Sequence, residues 1–100
     1  DLNFDRAMHP LIEQGARVLL CPCNNMMPFE KAESYKQVHN EIRAQRCRNN
    51  RVWLVSSDVT GSRDARVSYG PTAVIDPDGS VVDQVPLLKK GMVLVNIEIQ

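Results

Sequence analysis

Phe4, Ala7, Met8, Leu11 and Ile12 recur at the spacing of one helix face, with Asp5 placed to cap that helix and Gly15 to close it. Pro10 falls inside the pattern, lacks an N–H and crowds the preceding turn, so the helix is expected to be kinked or to start late. ARVLLCP, residues 16–22, is a nearly continuous apolar run ended by proline, which predicts a strand buried on both faces. Pro28, Glu30 and Glu33 mark the entry to a second helix with the stripe Ala32, Tyr35, Val38 and Ile42, terminated at Asn49 and Asn50. VWLVSS, residues 52–57, reads as another buried strand, and the polar, glycine-containing stretch 58–70 reads as a loop. Thr72–Ile75 and Ser80–Gln84 form a predicted hairpin across Asp76-Pro77-Asp78-Gly79, where proline suits the first corner of a type I turn and glycine the position after it. MVLVNIEI, residues 92–99, ends in the alternation of a closing strand. The order helix, strand, helix, strand, hairpin, strand predicts one α/β unit with its helices on one face of a mixed sheet.

Charge narrows the partners. Lys plus Arg is 12 and Asp plus Glu is 12, so the chain has no basic footprint for nucleic acid. At 100 residues it can bury roughly two-thirds of its unfolded surface without staples. Three cysteines, an odd number, and no apolar run of membrane-spanning length point to a reduced, cytoplasmic protein with no membrane partner. The chain opens on Asp1 rather than Met, which reads as a portion of something longer.

CPCNNMMP, residues 21–28, concentrates the candidate chemistry. Cys21 and Cys23 at i and i+2 of an extended segment share a face, and with Cys47 and a histidine they offer a thiolate metal site. The C-x-C spacing is not that of zinc knuckles, however, and simple buried thiols are the better reading, with no metal. His9 and His39 read as surface or boundary residues rather than catalytic bases, and RAQRCRNNR, residues 43–51, as a solvated helix end. On residue chemistry alone the reading stops at an α/β domain.

Longer word order carries it further. Asp1-Leu2-Asn3-Phe4 runs without a gap into the first helix, then Gly15-Ala16-Arg17-Val18-Leu19-Leu20 and Pro22. Arg46-Cys47-Arg48-Asn49-Asn50 leads into Val52-Trp53-Leu54-Val55, and Gly70-Pro71-Thr72-Ala73-Val74-Ile75-Asp76-Pro77-Asp78-Gly79 follows. In order and spacing these segments resemble the C-terminal part of the nitrilase-superfamily carbon–nitrogen hydrolases, over essentially the whole chain. Asp5-Arg6 departs from that family's Pro-Glu, His9 from its common Arg, and Cys47 and Asn49 from the Ala and Glu of its R-A-x-E-N segment.

The resemblance implies the C-terminal half of a four-layer α-β-β-α sandwich, a partial domain over residues 1–100 that lacks the upstream Glu-Lys-Cys triad. It implies no catalytic residue within this span, the nucleophilic cysteine being expected two residues before Asp1. Its reaction is thiolate attack on an amide, nitrile or carbamoyl carbon through a thioester acyl-enzyme, with no cofactor and a small-molecule amide or nitrile as substrate. A homodimer or higher homo-oligomer is implied through the helix after the nucleophile and the helix carrying Arg46 to Asn50. Relatives with an Asn in the loop after the Gly-Ala strand place it at Asn24, the candidate substrate-binding residue, with Asn25 next; an Asn pair satisfying a strand-to-loop turn is the competing reading for Asn25. A self-standing, non-catalytic α/β interaction module, or a binding protein on the same scaffold, is the alternative.

Overall fold

The computed structural model describes residues 5–36 and 38–99. The first apolar stripe, apart from Phe4, which lies outside the described residues, becomes a 3₁₀ turn, Asp5–Met8, continued by a short helix α1, His9–Glu13. Pro10 stands in the first turn of α1, where its missing N–H leaves no intrahelical bond unmade. Asp5 does not act as the expected cap of that helix. Its carboxylate accepts instead from Asn50 Nδ2 at 2.9 Å and meets His9 Nε2 at 3.3 Å.

Strand β1, Val18–Cys23, follows, then a two-residue strand β2, Met27–Pro28. The single second helix expected from the sequence is two: α2, Phe29–Lys36, and α3, His39–Asn50. Val38 caps α3 from outside and is 41 % exposed, so it is not the core residue its place in the stripe suggested. The buried residues of α3 are Arg43, Ala44 and Cys47, and the helix ends at Arg51, which takes the left-handed conformation.

Strand β3, Trp53–Asp58, runs parallel to β1 with Leu19 opposite Leu54, Cys21 opposite Ser56 and Cys23 opposite Asp58. Between Asp58 and Gly70 the expected loop contains a hairpin, β4, Gly61–Arg63, and β5, Arg66–Ser68. Asp64 and Ala65 both have positive φ at its tip, as a two-residue turn matched to strand twist requires. The predicted hairpin on the C-terminal side is present as β6, Ala73–Ile75, and β7, Val81–Gln84. Its turn is held by Gly79 N–H donating to Asp76 O at 2.9 Å, while Asp76 Oδ1 accepts from the N–H groups of Asp78 and Ser80.

The strands form a mixed sheet in the order β1-β3-β6-β7 and a small sheet in the order β2-β5-β4. Leu19, Leu54 and Ile75 point to one face of the larger sheet, where Met8 packs on Leu19 and Val52, and Ala44 and Cys47 pack on Leu54 and Ile75. The N-terminal turn with α1, and α3, therefore lie on one face of the larger sheet, as expected. Leu54 and Ile75 are fully buried, each contributing roughly 1.5–3 kcal/mol. Helix α2 is anchored on the small sheet by Ala32 against Val67 and Tyr69, with the Tyr69 hydroxyl donating to Glu33.

Residues 92–99 are the clear departure. They join no ladder among the described residues, and Met92 and Leu94 are 85 % and 86 % exposed. The alternation is there, with Val93, Val95 and Ile97 partly covered, but a strand needs a neighbour to complete its backbone hydrogen bonds.

Candidate functional site

The alternation along two parallel strands puts Leu19, Cys21 and Cys23 of β1, and Leu54, Ser56 and Asp58 of β3, on the helix-facing side. Each row runs from apolar to polar toward its C-terminal end. In open α/β sheets, ligand crevices form beyond that end. A cavity of about 430 Å³ lies there, bounded by Leu11, the CPCNN segment, Tyr35, His39 and Arg43. Its volume is that of a small-molecule site.

Arg43 organises the polar end. Only 4 % exposed, it donates through Nη1 to Ser56 Oγ at 3.1 Å and to the Pro71 carbonyl at 2.8 Å. Its Nη2 lies 3.6 Å from Asp58 Oδ2 and 3.6 Å from Cys23 Sγ. The Asp58 side chain is fully buried, and its carboxylate also accepts the Asn25 backbone N–H at 3.1 Å and the Asn25 side-chain amide. A buried charge must be paired and hydrogen-bonded, and here each charge has both. The pair ties α3, the end of β3 and the CPCNN loop together. The expectation of a solvated helix end at residues 43–51 is thus corrected at Arg43.

Asn24 and Asn25, the sequence candidates, both border the cavity but are held differently. Asn25 is partly buried and bound to Asp58 through backbone and side chain. Asn24 is exposed, with its side-chain oxygen accepting the Met26 N–H at 3.2 Å. Cys21 and Cys23 line the same cavity, while Cys47 is fully buried beside Ala44, Leu54 and Ile75. The three thiols are not one ligand set, and the described residues hold no group of three or more His, Cys, Asp or Glu that could bind a metal ion.

Burial, reinforced by the hydrogen bond with Cys21, pushes the Cys23 thiol up to about 12 against the pull of Arg43. It is therefore protonated at neutral pH and is not a ready nucleophile. Burial also pushes Cys47 up to about 11. His39 is held below the ordinary histidine value by burial and by the Arg43 charge, with Asp58 acting the other way, and its ring lies 5.2 Å from that of Tyr35. His9 is exposed, as expected.

Arg43 and Asp58 are the residues of this site that the sequence did not single out. An arginine in an arginine-rich helix, and an aspartate where a strand gives way to polar text, carry no mark of burial. Only their meeting across α3 and β3 distinguishes them.

The model of the carbon–nitrogen hydrolase family matches residues 1–100. The chain belongs to that family. No curated protein matches it. Among solved structures, a cysteine-to-alanine mutant of a Nesterenkonia amidase from the nitrilase superfamily is 17 % identical, with a TM-score of 0.73, over 87 % of this chain and 31 % of that one. The Caenorhabditis elegans NitFhit protein is 23 % identical, with a TM-score of 0.70, over 87 % and 20 %. A Helicobacter pylori carbon–nitrogen hydrolase is 14 % identical, with a TM-score of 0.78, over 90 % and 35 %. These likenesses show the nitrilase fold, of which the mixed sheet and its helices are part. The chain spans about a third of the amidase's length.

Proposed function

We propose that the intact protein is a thiol-dependent hydrolase of non-peptide C–N bonds, acting on a small amide, nitrile or carbamoyl substrate, and that residues 1–100 form one wall of its active site. The observation that carries this reading is the buried Arg43–Asp58 pair. It fixes Asn25, and through it the Asn24 loop, at the mouth of a substrate-sized cavity beyond the ends of two parallel strands. Membership of the carbon–nitrogen hydrolase family and the likeness to an amidase support the same class.

In this reading the nucleophile is a cysteine two residues before Asp1, and a glutamate and a lysine further upstream complete the triad. The thiolate attacks the carbonyl carbon, the tetrahedral oxyanion is held by lysine and a backbone N–H, and ammonia or an amine departs with a proton relayed by glutamate. Water then cleaves the thioester. This span's own residues bind and position: Asn24 hydrogen-bonds a polar group of the substrate, and Asn25 holds the loop. Cys21 and Cys23 take no part in acyl transfer. No helix among the described residues is long and apolar enough to cross a membrane. Three free cysteines accord with a reducing, cytoplasmic setting, and the intact protein is proposed to work as a homo-oligomer.

Ammonia release by the full-length protein on a panel of short amides tests the binding wall. Asn24→Ala should lower kcat/KM about tenfold, the loss of ~1.4 kcal/mol expected for one hydrogen bond, while Cys23→Ser retains turnover. Abolition of turnover by Cys23→Ser would contradict this assignment of roles.

A further inference from the structure

Cys21 and Cys23 line the cavity but are left without a task by the proposed reaction. The pleat of β1 sends both side chains to the helix-facing side, with Pro22 between them exposed. Their sulfurs lie 3.2 Å apart, and the Cys23 thiol donates to the Cys21 carbonyl at 3.2 Å. Two residues of extended strand separate Cα atoms by about 6.6 Å, at the upper edge of the disulfide range, and same-face Cβ atoms by about as much, so a bridge requires β1 to give up its extended geometry around Pro22. Closing the bridge brings the sulfurs in by roughly 1.2 Å, to a bond of ~2.05 Å, and draws the two Cβ atoms together as the strand bends. Both thiols border a cavity of about 430 Å³, ample for a small hydroperoxide.

We propose that Cys21 and Cys23 form an oxidisable dithiol, a modification site that reduces a small hydroperoxide and closes to an intrachain disulfide. It stands independently of the hydrolase reading, because it requires only the strand, the cavity and the two thiols. In the first step the Cys21 sulfur, having given up its proton, attacks a peroxide oxygen. The S–O bond forms, the O–O bond breaks, and the departing oxygen leaves as alcohol or water with that proton, so that Cys21 becomes a sulfenic acid. In the second step the Cys23 sulfur displaces hydroxide from Cys21. The S–S bond forms, the S–O bond breaks, and the Cys23 proton leaves with the hydroxide as water. Two thiols lose two electrons and two protons, and the peroxide takes up both. Burial keeps Cys23 protonated at rest, so the first attack falls to Cys21 and Cys23 reacts only as its proton is given up in the second step. The Arg43 guanidinium, 3.6 Å from Cys23 Sγ, stands where the Cys23 thiolate that makes the second step forms.

The test is peptide mapping of the full-length protein after titration with hydrogen peroxide and quenching with an alkylating agent. Tryptic cleavage after Arg17 and Lys31 releases residues 18–31, which hold both thiols together with Met26 and Met27. Methionine oxidation adds oxygen, whereas the proposed bridge removes two hydrogens and blocks alkylation at both cysteines. The expected product is that bridged peptide, restored to the dithiol by dithiothreitol, with Cys47 still a thiol. In Cys21→Ser the bridge should vanish and Cys23 should remain alkylatable. Three results would each overturn the proposal: sulfinic or sulfonic acid at Cys21 beside an intact Cys23 thiol, a bridge from either cysteine to any other, or no reaction at peroxide levels that oxidise Met26. The wild-type peptide alone decides the matter if the variant fails to fold.

Discussion

Asp58 carries three obligations with its side chain wholly out of water: it faces Arg43 and holds both the backbone and the side chain of Asn25. Removing it leaves a guanidinium buried without its counter-charge, which costs about 3–5 kcal/mol, whereas replacing both partners by apolar groups removes that penalty. Asp58→Ala should therefore lower the urea midpoint severely, and Arg43→Met added to it should recover a substantial part. Equal and additive losses would show that the pair is not coupled. His39 faces Arg43, Asp58 and Tyr35 and binds its proton less readily in the folded chain than at its ordinary value of 6.5. The unfolded state then takes up more protons as the pH falls, so stability is flat above about 6.5 and declines below it toward the folded value. Urea midpoints at pH 7.5 and pH 5.5 should show that decline, and His39→Gln should reduce it. No change in the pH dependence in His39→Gln would remove His39 as its source.

At the scale of elements, the turn between β6 and β7 sits against α3 as tightly as glycine allows. Gly79 has a φ of +86°, and a Cβ there would meet the Arg48 side chain and come within 3.1 Å of the Ala44 carbonyl oxygen. Gly79→Ala combines a left-handed alanine with that contact and should destabilise by about 1–2 kcal/mol, read as a shift in the thermal midpoint. A neutral or stabilising outcome would mean that the turn moves freely against α3. This turn was also the most legible element in the sequence, because Asp-Pro-Asp-Gly encodes it locally. The parallel strands β1 and β3 were legible for a similar reason, as apolar runs of strand length. The hairpin of β4 and β5 was not: Gly-Ser-Arg and Arg-Val-Ser lack apolar alternation, and Asp64-Ala65 is an unusual pair for a turn needing two positive φ angles. The break between α2 and α3 was hidden because Val38 continues the apolar stripe in text while lying exposed in space. Residues 92–99 show the reverse case, a strand pattern whose ladder partner is absent from the described residues.

At the scale of the molecule, helices cover one face of the larger sheet and leave a cavity along β1, and the chain covers about a third of the amidase it resembles. The candidate site was legible only as a place. The spacing from Gly15 led to Asn24 and Asn25, and both border the cavity, yet nothing in the text joined Arg43 to Asp58 fifteen residues on. The proposed binding and positioning groups lie within this span, and the proposed bond-making group just before it. The most direct test is ammonia release from a short amide by the full-length protein, beside a variant carrying alanine at the position two residues before Asp1. The account predicts turnover by the wild type and its loss in the variant, with the acyl adduct trapped at that position. Turnover that survives the substitution, or a wild-type residue there other than cysteine, would contradict it.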